Sequence, residues 1–125
     1  FPLCEKKGIS IIQGSPFESG ILASDLSGEQ KYRYHSAPDE VLEKARDIEL
    51  ICRRYGVPLK AAALQYVLRH PIIVSTIPGT KSAARLRENF SMIQHPIPEE
   101  MWDELKADSY IREAPAAIQT QINRG

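Results

Sequence analysis

Two short β-branched runs constrain this chain more than any other feature. Gly8-Ile-Ser-Ile-Ile-Gln-Gly14 is closed by glycine at both ends, and Ile72-Ile-Val-Ser-Thr-Ile77 is apolar at both sets of alternating positions. The first predicts a strand at about 9–13 and the second a strand at 72–77, the latter apolar on both faces as in a parallel sheet covered by helices. Two parallel strands do not make an independent sheet of ordinary size. The chain therefore reads as a piece of something larger.

The rest of the sequence supplies helices. Residues 1–7, with a charged end before Gly8, read as the last turn of one. Residues 14–37 hold Gly14, Pro16, Gly20 and Gly28, with Pro38 just beyond, too punctuated for a regular element and long enough for a functional loop. Ser36-Ala-Pro-Asp39 predicts a helix start, with Ser36 as cap and Pro38 in the first turn. Val41, Leu42, Ala45, Ile48, Cys52 and Tyr55 then recur at helical spacing, and Gly56 should end the helix. Pro58 opens a second helix with a stripe of Leu59, Ala62, Ala63, Tyr66 and Val67, closed by His70-Pro71. A third, from about Ser82, carries Ala83, Leu86, Phe90 and Ile93 on one side. A fourth starts near Pro98 with Met101, Trp102 and Leu105. The sequence after Pro115 has no apolar periodicity, which predicts one domain over 1–114 and an irregular tail over 115–125. The alternation is that of parallel α/β architecture, but a closed (β/α)8 barrel takes at least about 200 residues and this chain has 125.

Charge narrows the partners. Sixteen basic and 16 acidic residues give a formal charge of zero, so nothing attracts a phosphate backbone or anionic lipid, and neither nucleic acid nor a membrane is an expected partner. A helix-turn-helix reader is further opposed by the strand between the helices at 59–69 and 82–93. The apolar runs fall far short of the roughly 20 residues that span a bilayer, and no signal peptide is visible. Cys4 and Cys52 form no CxxC pair and have no histidine cluster nearby, so they read as small core residues of a protein in a reducing cytoplasm, with no metal site.

A strand that stops at Pro78-Gly79 and turns into a helix presents free N–H groups and a positive dipole end, with Thr80, Lys81 and Ser82 as further donors. Arg85 lies at i,i+3 and i,i+4 from Ser82 and Lys81, where a guanidinium can meet a phosphate or stack on a base. Glu88 and Asn89 follow one turn later. Taken alone, these residues better describe a helix start with capping side chains and a solvated Arg85. Ser15, Phe17 and Ser19 alone equally describe a turn with hydroxyl caps.

Together the two segments are more specific. Ile77-Pro-Gly-Thr-Lys-Ser-Ala-Ala-Arg-Leu-Arg-Glu-Asn89 resembles the C-terminal cofactor-binding segment of the aldo-keto reductase superfamily, and Gly14-Ser-Pro-Phe-Glu-Ser-Gly-Ile-Leu22 resembles the seventh strand-to-loop segment of the same barrels. The resemblance covers about residues 1–114, corresponds to the last part of such an enzyme, and is nearest the sugar and pyridoxal dehydrogenase branch. It implies an α/β fold that is a C-terminal fragment of a (β/α)8 TIM barrel. It also implies an oxidoreductase that binds NAD or NADP and a small carbonyl or sugar substrate. In that reading Gly14 is among the cofactor-binding residues, and Ser15, Phe17 and Ser19 grip the pyrophosphate. Residues Ile77, Pro78, Gly79, Thr80 and Lys81 form the phosphate corner, and Arg85, Glu88 and Asn89 meet the adenine end. The chain departs from the family at Gly14, where an aromatic residue often stacks on nicotinamide, and at Gly79, where many relatives have lysine. The loss of that lysine counts against a 2′-phosphate, and Lys81 and Arg85 are the nearby cations that could replace it.

The family's chemistry uses a tyrosine, a lysine, a histidine and an aspartate from the first half of the barrel. Lys31-Tyr-Arg-Tyr-His35 has some of the residue types but follows the seventh strand, so it is read as surface or substrate mouth, and no catalytic residue is assigned. His70 and His95, each before a proline, read as capping or solvated, and Glu99, Glu100 and Asp103 as a helix N-terminal charge pattern. A non-catalytic nucleotide-binding or truncated barrel fragment is the alternative, and self-association through open barrel edges is expected of either.

Overall fold

The structure is a computed structural model that describes residues 1–17, 22, 31–32, 35–36 and 38–111. Its elements are α1 (Pro2–Lys6), β1 (Ile11–Gly14), β2 (Lys31–Tyr32), β3 (His35–Ser36), α2 (Asp39–Arg54), α3 (Leu59–Leu68), β4 (Ile73–Ile77), α4 (Ala83–Gln94) and α5 (Glu99–Ala107). β1 and β4 pair in parallel, and among the described residues no further strand joins them and no barrel closes. β2 and β3 form a two-residue antiparallel pair, Lys31 opposite Ser36 and Tyr32 opposite His35. That short ladder lies within the segment expected to lack regular structure. The tail after Pro115 and Ser19 lie outside the described residues.

Local punctuation sets the helix ends. Gly8 and Gly56 take positive φ of 64° and 68°, and the following amides return to Cys4 and Cys52, so each helix closes in a left-handed glycine turn. The amide of Ile9 is spent on that closure, which is why β1 begins at Ile11 rather than 9. At the start of α2 the sequence expectation needs correction. Pro38, not Ser36, is the N-cap, and Ser36 belongs to β3. A proline cap has no side-chain acceptor to offer, and Asp39 and Glu40 in the first turn meet the helix dipole instead.

α3 is buried almost all round. Ala61, Leu64 and Gln65 are covered as well as Leu59, Ala62 and Ala63, because α2, α4 and β4 all pack on it. The expected single stripe was too narrow for a helix sandwiched this way. α5 presses Met101, Trp102 and Leu105 onto the same core, with Cys52 and Val57 beneath. Full burial of a side chain of this size contributes about 1.5–3 kcal/mol. Tyr66 stacks on Trp102 at 6.3 Å, and the Arg69 guanidinium lies 5.0 Å from the indole centre while donating twice to Glu99 at 2.8 Å.

α4 departs most from its periodicity. Leu86 and Phe90 of the expected inward stripe are 57% and 64% exposed, and Ala83 is exposed as well, whereas Asn89 is buried. The helix lays Asn89 and Met92 inward, with Ile93 half-buried, and leaves the Leu86 and Phe90 end of its apolar stripe outward. The sheet has the same asymmetry. Ile11 and Ile73 pair on the covered face, while Ile12, Val74 and Ile77 are exposed, so the strand expected to be covered on both faces is covered on one.

Candidate functional site

Parallel pairing decides where the two motif segments meet. Gly14 lies opposite Ile77 at the carboxyl ends of β1 and β4, and the Thr76 hydroxyl donates to the Gln13 carbonyl at 3.2 Å. Both motif loops therefore leave from adjacent strand ends, the edge at which α/β folds place their ligands. A shift of register between Ile11 and Ile12, which skips Val74, is needed to bring Gly14 and Ile77 level.

After Gly14 the backbone of Ser15 turns left-handed, φ 49°, a conformation costly for a residue with a Cβ. Pro16 is buried and Phe17 half-buried behind it. Among the described residues, no atom lies within 4 Å of where a Cβ of Gly14 or Gly79 would stand.

At the start of α4, Ser82 is the N-cap and its Oγ accepts from the Arg85 amide at 3.4 Å. The Thr80 hydroxyl donates to the Ser82 carbonyl and accepts from the Ser82 amide, both at 3.2 Å. The Thr80 hydroxyl is thus engaged in holding the loop rather than available as a donor. The Ser82 O–H, still a donor, and the first-turn amides of α4 remain, as in any helix start. Lys81 and Arg85 are exposed, and among the described residues neither is held in an ion pair.

Two features go beyond a capped helix. Asn89 is 4% exposed, and its Oδ1 has no hydrogen-bond partner among the described residues, which is costly unless a donor arrives from elsewhere. The exocyclic amine of an adenine is one donor of the kind this oxygen would accept. Secondly, the Lys60 ammonium lies 2.9 Å from a Glu88 oxygen and 5.5 Å from the centre of the Phe17 ring, linking the two motif segments through the first turn of α3. Sequence reading missed Lys60 entirely. Its partners are remote in the chain, and a lysine on a helix carries no signal of its own.

His70 and His95 each bond to the backbone. His95 bonds the Gly56 carbonyl at 3.2 Å, and His70 Nδ1 accepts from the Ile72 amide at 3.4 Å while its ring meets Phe1 edge-on at 4.8 Å. Glu99, read as an N-terminal charge only, also holds Arg69. Among the described residues no three metal-ligating side chains stand together, and no helix is long and apolar enough to cross a membrane.

Comparison with known proteins agrees with this geometry. Residues 1–109 match the model of the aldo/keto reductase family. The chain is 38% identical over 110 residues to a pyridoxal 4-dehydrogenase of Microbacterium luteolum, covering 88% of this chain and 32% of that protein. It is 35% identical over 105 residues to a D-threo-aldose 1-dehydrogenase of a Pseudomonas species, covering 83% and 32%. The structure superimposes on an aldo-keto reductase from Bacillus halodurans in its holo form with a TM-score of 0.59 and 21% identity, covering 96% of this chain and 38% of that one. The chain thus spans about a third of the length of the curated relatives it matches, and its fold corresponds to part of the (β/α)8 barrel of the aldo-keto reductase it superimposes on. By sequence and by fold, this chain belongs to the aldo/keto reductase family.

Proposed function

We propose that this chain forms the dinucleotide-holding part of an oxidoreductase that acts on a sugar or aldehyde, as the names of its relatives suggest. The observation that carries the reading is the pairing of Gly14 with Ile77, which sets both motif loops at one edge of the sheet. Bound NAD or NADP supplies hydride chemistry. The chain's own residues bind and orient. The first-turn amides of α4, the Ser82 hydroxyl and Lys81 attract phosphate, with Ser15, Phe17 and Ser19 on the pyrophosphate side. Arg85 lies along the adenosine, and Glu88 and Asn89 receive the base. Proton transfer is assigned to no residue of this chain, and a nucleotide-binding fragment without chemistry is the second reading. Gly14 favours that second reading, since no aromatic ring stands there to stack on nicotinamide. A reducing cytoplasm suits the free thiols Cys4 and Cys52, and the exposed Ile12 and Ile77 favour self-association.

Calorimetric titration of NAD and NADP against the chain tests the reading. Binding of either, weakened roughly ten- to a hundredfold by Arg85→Ala, is expected for the loss of a charge-assisted hydrogen bond. Failure of both to bind overturns it.

A further inference from the structure

We propose that Lys60 is a positioning residue that sets how well the site accepts a phosphorylated ribose, by neutralising the Glu88 carboxylate beside it; this rests on the dinucleotide reading above. Glu88 stands one turn beyond Arg85 on α4, so its charge faces the same neighbourhood as the Arg85 guanidinium. An uncompensated carboxylate there would repel a phosphate dianion. Lys60 removes that repulsion at 2.9 Å, with its own side chain only 14% exposed while Glu88 is 52% exposed. The ammonium is therefore held from the α3 side, and its approach to the Phe17 ring at 5.5 Å fixes its direction. The pair contributes no net charge while both members are present. Removing either one changes the local charge by one unit, in opposite senses.

Adenosine 2′,5′-bisphosphate and 5′-AMP differ only in the 2′-phosphate, and the ratio of their affinities reads the charge beside it. Lys60→Met keeps most of the apolar stem and should lower bisphosphate affinity about tenfold, with about twofold or less for 5′-AMP. Glu88→Gln should move the ratio the other way. The double variant, again neutral, should return the ratio to within about twofold of the parent, and Lys60→Arg should preserve it. A purely structural Lys60 would lower both affinities together and leave the ratio unchanged. That outcome, or no change in either affinity, overturns the assignment while the dinucleotide reading stands. Were Lys60→Met not to fold, Glu88→Gln and Lys60→Arg decide alone: an unmoved ratio in the first or a lost one in the second overturns it. If the parent binds neither probe, the dinucleotide reading fails and the role of Lys60 falls with it.

Discussion

The carboxamide nitrogen of Gln65 lies 2.7 Å from the carbonyl oxygen of His95, and 2.9 Å from that of Met92. One buried side chain of α3 thus closes the C-terminal end of α4, satisfying acceptors that every helix leaves open. From the first turn of α3 Lys60 reaches Glu88, midway along α4. The helix that presents Arg85 and Asn89 is held to α3 at its middle and at its C-terminal end.

Gln65→Leu keeps similar volume but leaves the two carbonyls without their donor. The expected loss is about 1–3 kcal/mol, with faster amide exchange confined to the last turn of α4. Urea unfolding and hydrogen exchange measure these. A loss under about 0.5 kcal/mol would mean that water replaces the amide.

What was legible in the sequence was what glycine, proline and alternation determine locally. Gly56 and Pro58 separate α2 from α3 where expected, and the two β-branched runs are the two paired parallel strands. The family was also legible, from the two contiguous segments Gly14 to Leu22 and Ile77 to Asn89. Hidden were features that depend on a distant neighbour: Gln65 and Lys60 meet partners 27 and 28 residues away. The stripe through Leu86 and Phe90 shows why period alone is insufficient. Helical spacing says that a face is apolar, and not whether anything lies against it. The Ser36 cap failed for a related reason, since a short strand pair claimed that residue's backbone first.

α2 and α5 are joined by Glu104, whose carboxylate accepts from the Tyr55 hydroxyl at 2.8 Å and pairs with Arg54. The Tyr55 hydrogen bond, then Arg54, hold the Glu104 carboxyl below its ordinary range. A folded value below the unfolded one gives stability that is present above about pH 4 and lost as pH falls through the depressed value. The same bond raises Tyr55, and Asp47 raises Tyr110. An acid favoured in its neutral form when folded loses that advantage as pH rises past about 10. Denaturant midpoints across pH should therefore fall at both extremes. Tyr55→Phe should shrink both slopes, and an unchanged acid limb would show that Glu104 is solvated instead.

The two thiols should differ in reactivity. Burial pushes the Cys52 thiol up to about 11, whereas Cys4 is partly exposed near the N-terminus. Since the thiolate is the reactive form, an alkylating reagent at pH 8 should modify the native chain at Cys4 and spare Cys52 until urea unfolds it. Mass spectrometry of the peptides decides, and equal labelling in the native state would place Cys52 outside the core.

Gly79 is the position at which the cofactor reading can be pushed in a chosen direction. Among the described residues no atom lies within 4 Å of its would-be Cβ, and its φ is not in the left-handed region, so Gly79→Lys should add a cation without backbone strain. The new ammonium would join Lys81 at the corner before α4, where a ribose 2′-phosphate is expected. Gly79→Lys should therefore raise NADP affinity over NAD by about tenfold, and Lys81→Ala should shift preference the other way by a similar factor. Both leave the helix and strand cores untouched, so unfolding midpoints should stay within about 0.5 kcal/mol of the parent. Titration of both dinucleotides against the parent and the two variants measures the ratios. If neither substitution moves the ratio although both dinucleotides bind, the 2′ position of the ribose lies away from the loop between Ile77 and Ser82, and the phosphate corner contacts the pyrophosphate alone.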